Sequence, residues 1–206
     1  MASMMCADYS DFRREVCALD EGGIDSFHID IMDGRYVPNF AMSLNDLRCI
    51  RSLTSKPLDV HLMVEHPINT INLFISALHP GDTIYIHPEA EYHPSTTLQK
   101  IIDAGIIPGI AINPGTSVET VYEMLRIVKR VLVMSVNPGN AGQMFLPYVR
   151  AKYEKLLKYK DSMVNGYGNN NFKLTREESV AIAEIMERFL GECKGWDTRE
   201  SLTQGS

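Results

Sequence analysis

The sequence predicts an α/β fold built on a parallel sheet, of the TIM (β/α)8 barrel type rather than the doubly wound type. Short apolar runs alternate with amphipathic stretches of helical spacing, giving six strand–helix units by about Tyr159. Such alternation through short loops means parallel pairing with right-handed crossovers and a sheet covered on both faces. Six units exceed the need of most mononucleotide-binding halves and set the chain on course for an eight-unit barrel. No G-x-G-x-x-G follows the first strand, which counts against a dinucleotide-binding sheet.

Each element has its own signal. A short strand is expected at Ser3–Met5, then a helix from Asp8 to Leu19 with Phe12, Val16 and Leu19 on one face and Asp8 or Ser10 as cap, stopped by Gly22-Gly23. Phe27–Met32 reads as a strand closed by the turn Asp33-Gly34, and Ser43–Leu53 as a helix with Leu44, Leu47 and Ile50 in phase. Further strands are expected at Pro57–Val64, Thr83–His87, Ile107–Ile112 and Arg130–Val136, and further helices at Pro67–Leu78, Ser95–Ala104, Ser117–Lys129 and Leu146–Lys160. Gly105 closes the helix before it, and Val118, Val121, Leu125 and Val128 carry the helical phase of Ser117–Lys129.

Composition narrows the function. The 206 residues are 45% hydrophobic, enough for a substantial core, and a net charge of −6 with pI near 5.5 leaves no basic footprint for nucleic acid. Cys6, Cys17, Cys49 and Cys193 are widely spaced and form no C-x-x-C, so they read as reduced side chains of a cytoplasmic protein. No stretch approaches the ~18 uninterrupted apolar residues of a membrane span, and the amino terminus has no secretory pattern, so no membrane partner is expected.

Two strands carry the chemistry. Alternate residues of a strand share a face, so His28, Asp30 and Met32 point one way while Phe27, Ile29 and Ile31 meet an apolar layer. The second run repeats the device with Asp59, His61 and Met63. A lone histidine in an apolar strand is usually a hydrogen-bonded core residue; two of them, each with a second polar or polarisable group on its face, shift the balance to metal or catalytic use. Side by side, the strands bring His28, Asp30 and His61 into one nitrogen–oxygen set suited to a divalent cation. Functional groups of either parallel architecture gather at the carboxyl ends of strands. There lie Asp30, Met32, His61, Met63, His87-Pro88-Glu89, Asn113-Pro114-Gly115, Met134 and the loop Asn137–Gln143, which can offer backbone N–H groups to an anion or close as a lid.

These residues carry a resemblance. Ser3-Met4-Met5-Cys6-Ala7-Asp8, His28 to Gly34, Val37-Pro38-Asn39, His61-Leu62-Met63-Val64, His87-Pro88-Glu89 and Val133 to Gln143 resemble, in the same order, the ribulose-phosphate 3-epimerase family, and within it most closely the D-allulose-6-phosphate 3-epimerases. The match covers roughly Met1 to Lys160. It implies a TIM barrel that inverts the hydroxyl-bearing carbon beside the ketone of a pentulose or hexulose phosphate through an enediolate. It further implies one divalent metal ion, Zn, Mn, Fe or Co, held by His28, Asp30 and His61, with Asp30 also one of two acid/base carboxylates. Ser3, Met32, Met63 and Met134 would line the substrate pocket, and Gly139, Asn140, Ala141 and Gly142 would belong to a mobile loop near the phosphate. The chemistry agrees, since a proton beside a ketone is too weakly acidic for a carboxylate without a Lewis acid.

The resemblance stops before the end. The family pattern asks for a seventh strand with a V-D-G-type motif carrying the second carboxylate and an eighth strand with a G-[ST]-type phosphate turn, and neither is found in the sequence. The expected organisation is therefore a barrel region at 1–164 lacking its seventh and eighth strands, and a linker, amphipathic helix and mobile tail at 165–206. In the tail Thr175 and Glu178 make a capping box, Ile182, Ile185, Met186, Phe189 and Leu190 a stripe, and Gly191 a stop. Open sheet edges predict a homo-oligomer, and the missing carboxylate allows an alternative: a catalytically impaired relative that binds metal or sugar phosphate.

Overall fold

Six strands, β1 (Ala2–Ser3), β2 (Phe27–Met32), β3 (Leu58–Met63), β4 (Thr83–Ile86), β5 (Ile107–Ile112) and β6 (Arg130–Val133), pair in parallel in the order of the chain. This is the arrangement in the computed structural model, which describes residues 1–166, with side chains to residue 159. Sequential order without reversal, joined by right-handed crossovers, puts the connecting helices on one face and curls the sheet around the other. The result is a curled half-barrel. No seventh or eighth strand occurs among the described residues.

The two faces sort as the period of two predicts. Phe27, Ile29 and Ile31 of β2, Leu58, Val60 and Leu62 of β3 and Ile84 and Ile86 of β4 join the main core. They meet Val16 of α1 (Phe12–Glu21), Leu47 and Ile50 of α2 (Leu44–Leu53), Ile71 of α3 (Ile71–Ile75) and Leu98 and Ile101 of α4 (Pro94–Asp103). The alternate residues face the inside of the curl, where they must be polar and paired, small, or site-forming. Asp59 is paired there by Arg130 at 2.7 Å and Ser26 at 3.1 Å, tying β3 to β6 across the interior. Gly109 is small because a Cβ would fall 2.4 Å from the Tyr85 ring. Near the amino ends of β3 and β4, buried Asp82 accepts from Arg51 at 3.0 and 3.2 Å and from the backbone N–H of Leu58 and His79, both at 2.8 Å.

Helix boundaries follow side-chain caps. Asp11 caps α1 through the Arg14 N–H at 3.1 Å, while Asp8 binds Ser10 in the turn before it, so the helix starts later than Asp8. Ser43 and Asp46 form a reciprocal capping box on α2. Pro67–Leu78 is not one helix: Pro67–Asn69 is a 3₁₀ turn and Thr70 breaks it from α3. Ser117–Lys129 likewise becomes two 3₁₀ turns, Val118–Val121 and Met124–Arg126. There the Thr120 hydroxyl donates to the Ser117 carbonyl at 2.7 Å, one of the local bonds by which Ser and Thr compete with a regular helix, and Val118, Thr120 and Val121 are stiff β-branched residues. β1 ends at Ser3 in a 3₁₀ turn over Met4–Cys6, and β6 ends at Val133.

The last described helix, α5 (Val149–Gly166), runs through Asn165 and Gly166, where the linker was expected to begin. The rest of the expected linker, the Thr175–Leu190 helix and the terminal tail lie outside the described residues. Cys6, Cys17 and Cys49 are free thiols. Among the described residues no helix is long and apolar enough to cross a membrane.

Candidate active site

The register between β2 and β3 sets Asp30 opposite His61, with His28 two residues earlier on the same face as Asp30. His61 Nδ1 lies 3.1 Å and His28 Nε2 3.4 Å from Asp30 Oδ1, and the Ser3 hydroxyl of β1 donates to Asp30 Oδ2 at 2.8 Å. One ligand atom from each of His28, Asp30 and His61 falls within 4.8 Å of the others. All three residues are buried. The structure thus brings together the three residues that the sequence singled out, and Ser3 joins them.

Burial pushes the Asp30 carboxyl up, but hydrogen bonds from His28 and His61, together with the charge of those rings, outweigh it and hold Asp30 well below the usual carboxylate range. His61 is pushed down to about 4, by burial above all, with the neighbouring His87 and His28 rings adding and Asp30 opposing. An ionised carboxylate beside a neutral imidazole offers oxygen and nitrogen lone pairs of the kind a divalent cation takes.

An apolar cluster of Met32, Val37 and Met63, with Met5, Tyr36 and Ala41 against it, lies at the carboxyl ends of β2 and β3 and holds two of the methionines expected near the substrate. Val37 also lies close to Gly139: a Cβ at Gly139 would sit 3.1 Å from Val37 Cβ, and φ is +110°. Glycine is required on both counts. Asn39 then ties this loop down, its Nδ2 donating to the Gly139 carbonyl at 2.7 Å and to Asn140 Oδ1 at 3.4 Å. Ala141 and Gly142 are exposed, and Met134 is half-buried one residue beyond β6.

Several residues at the site were not assigned a role by sequence reasoning. His87, fully buried just past β4, places its Nε2 2.8 Å from His61 Nε2, and its Nδ1 lies 3.6 Å from Glu89 Oε2. Glu89 accepts from the Thr116 hydroxyl and from the Asn113 N–H. Burial raises the Glu89 carboxyl, yet hydrogen bonds with His87 and Thr116 bring it below its ordinary range. Tyr36 covers the His87 ring at 4.9 Å and accepts from Asn113 Nδ2 at 2.6 Å, while Lys152 of α5 binds the carbonyls of Asn113 at 2.6 Å and Pro114 at 2.8 Å. Burial, with Glu89 adding, keeps the Tyr36 phenol protonated well above its normal range. The signal was present: His87-x-Glu89 has the same i, i+2 spacing as His28-x-Asp30.

Sequential parallel strands with a carboxylate and imidazoles gathered on the inner face, toward their carboxyl ends, define an α/β barrel-type protein with a buried histidine–carboxylate cluster. The chain belongs to the ribulose-phosphate 3-epimerase family, whose profile matches residues 1–169 and whose members are isomerases acting on carbohydrates. Among its relatives, the ribulose-phosphate 3-epimerase of Methanocaldococcus jannaschii is 38% identical over 172 residues, 83% of this chain and 70% of that one. Those of Helicobacter pylori J99 and Bacillus subtilis are 43% and 36% identical over 159 residues, 77% of this chain and 70% and 72% of theirs. An HpcH/HpaI aldolase structure from Desulfitobacterium hafniense shares the fold alone, with a TM-score of 0.55 at 13% identity over 100% of this chain and 94% of that one.

Proposed function

We propose that this protein is a divalent-metal-assisted ketose-phosphate 3-epimerase acting on D-ribulose 5-phosphate, with D-allulose 6-phosphate as the second candidate. One observation carries the reading: His28, Asp30 and His61 converge, buried, with ligand atoms within 4.8 Å. The donor set fits a divalent ion, since two imidazoles and an ionised carboxylate suit Zn, Mn, Fe or Co, and His61 has its second nitrogen held by His87 in the manner of a metal-ligating histidine. The names of the three relatives favour ribulose phosphate over allulose phosphate as the first substrate to try.

His28, Asp30 and His61 would hold the divalent ion, whose positive charge would make the proton on the hydroxyl-bearing carbon beside the ketone more acidic. Asp30 is the base: ionised, with the Ser3 hydroxyl donating to Oδ2 and the His28 and His61 rings packed against Oδ1, and so kept from swinging away. Met32, Met63 and Val37 line an apolar wall that excludes water from the carbanionic species. The loop at Gly139–Gly142, latched by Asn39, is the proposed phosphate-side cover. Inversion also needs a proton donor on the opposite face, and among the described residues the cluster holds one carboxylate. Removal and return of the proton are therefore expected to outpace net inversion.

The test is NMR of D-ribulose 5-phosphate and D-allulose 6-phosphate with zinc-loaded protein. Conversion of the pentulose phosphate to its 3-epimer is expected, faster than that of the hexulose phosphate. A protein that holds zinc and leaves C3 of both sugars untouched would overturn the assignment.

A further inference from the structure

Two carboxylates stand at the two ends of one imidazole pair. Asp30 Oδ1 faces His61 Nδ1 at 3.1 Å, His61 Nε2 faces His87 Nε2 at 2.8 Å, and His87 Nδ1 faces Glu89 Oε2 at 3.6 Å. Glu89 is held in place, because the Thr116 hydroxyl and the Asn113 N–H both go to Oε1 and leave Oε2 toward His87.

Counting protons shows a conflict. Two ring nitrogens 2.8 Å apart share one proton, so one ring donates and the other accepts. If His61 keeps its proton on Nδ1 for Asp30, His87 must donate from Nε2, and its bare Nδ1 then faces the Glu89 carboxylate. If His87 keeps its proton on Nδ1 for Glu89, its Nε2 accepts from His61, and the bare His61 Nδ1 faces Asp30. With one proton per ring, one carboxylate always meets a lone pair. A cation between Asp30 and His61 Nδ1 removes the repulsion in the second arrangement and in that one only.

We propose that His87 and Glu89 are positioning residues that select this second arrangement: Glu89 accepts from His87 Nδ1–H, His87 Nε2 accepts from His61 Nε2–H, and the His61 Nδ1 lone pair is left aimed at a divalent cation shared with Asp30 and His28. The relay involves no change of charge, only a choice of which nitrogen carries the proton. It also gives His87, fully buried and otherwise without a partner on Nδ1, a reason to be polar. It rests on the metal-assisted reading above for the identity of the guest.

The experiment uses the full chain with histidine ¹⁵N labels and zinc. Zinc affinity is measured by calorimetry for the wild type, Glu89→Gln and, as the reference for a destroyed site, His61→Ala, and ring tautomers are read from two-bond ¹H–¹⁵N spectra. Glu89→Gln keeps the shape but supplies an amide N–H that rewards the wrong tautomer. It should weaken zinc binding about 10–100-fold, the usual cost of losing an outer partner of a ligating histidine, at an unchanged melting temperature. Zinc-loaded wild type should show His61 protonated on Nε2 and His87 on Nδ1. Wild-type affinity in Glu89→Gln, or His87 protonated on Nε2 in the zinc-loaded wild type, would overturn the relay. Wild type that takes up no zinc would remove the cation site and the relay together. Wild type that binds zinc through this relay but turns over no ketose phosphate would leave the relay standing and sink the epimerase assignment.

Discussion

The centre of the sheet and its last strand are built differently. In β2 and β3 every residue is buried, one face in the helix-covered core and the other toward the interior that holds the site, whereas all four residues of β6 are only half-buried. Val131 and Val133 pack against the core from one side, and on the other side Arg130 reaches back to Asp59. The site thus hangs on strands fixed from both faces, as a constellation held to fractions of an ångström requires. Among the described residues β6 is the edge strand; beyond its backbone pairing with β5 it is held by two valines and an ion pair, and it contributes position rather than chemistry.

The sharpest way to break this comparison is at Asp30. Asp30→Asn should lower turnover by about 10²–10⁴-fold, the usual loss for a general base, while urea denaturation shows a folded protein; an active variant would move the chemistry elsewhere. Next come paired truncations. Ile29→Ala, fully buried in β2, should cost about 2–5 kcal/mol, and Val131→Ala, half-buried in β6, about 1 kcal/mol. Equal losses in urea midpoints would mean that the edge is packed as tightly as the centre.

Arg130→Met tests the other half of what anchors the edge. It leaves the buried Asp59 carboxylate without its cation, and a loss of about 2 kcal/mol is expected, discounted from a fully buried pair because the Arg130 side chain is 35% exposed. The smallest effect is one of pH at the carboxyl end of β2. Burial raises the Asp33 carboxyl, but backbone N–H groups of Glu65, Arg35 and Tyr36 bring it below its ordinary 3.8. A carboxylate lowered on folding contributes stability that is full above its unfolded value and is lost as pH falls through its folded one. Denaturation midpoints measured below pH 4 should therefore fall less steeply in Asp33→Asn than in the wild type.

Much of this was legible in the chain. The His28-x-Asp30 and Asp59-x-His61 pairs announced the face they share because strand periodicity is local, and the alternation of elements gave the parallel order. The relay from His61 through His87 to Glu89 was not assigned, since it depends on which strand neighbours which and on ring orientation, although its spacing repeats that of the first pair. The spans Pro67–Leu78 and Ser117–Lys129 are shorter helical turns than their apolar spacing implies, because that spacing is blind to the non-helical backbone at Thr70 and to the Thr120 hydroxyl taking the Ser117 carbonyl. Asn39 was read as part of a motif, but its grip on Gly139, 100 residues away, could not be seen from spacing.

The central claim is that Asp30, with a cation beside it, moves the proton on C3 of a ketose phosphate. Incubating the zinc-loaded protein with D-ribulose 5-phosphate in D₂O and following C3 by NMR tests it most directly. Deuterium should enter C3 of the unconverted sugar about 10²–10⁴-fold faster than the 3-epimer accumulates, as expected when one of two acid/base groups is in place, and Asp30→Asn should abolish the exchange. No deuterium at C3 in a protein that holds its zinc, or undiminished exchange in Asp30→Asn, would contradict the account.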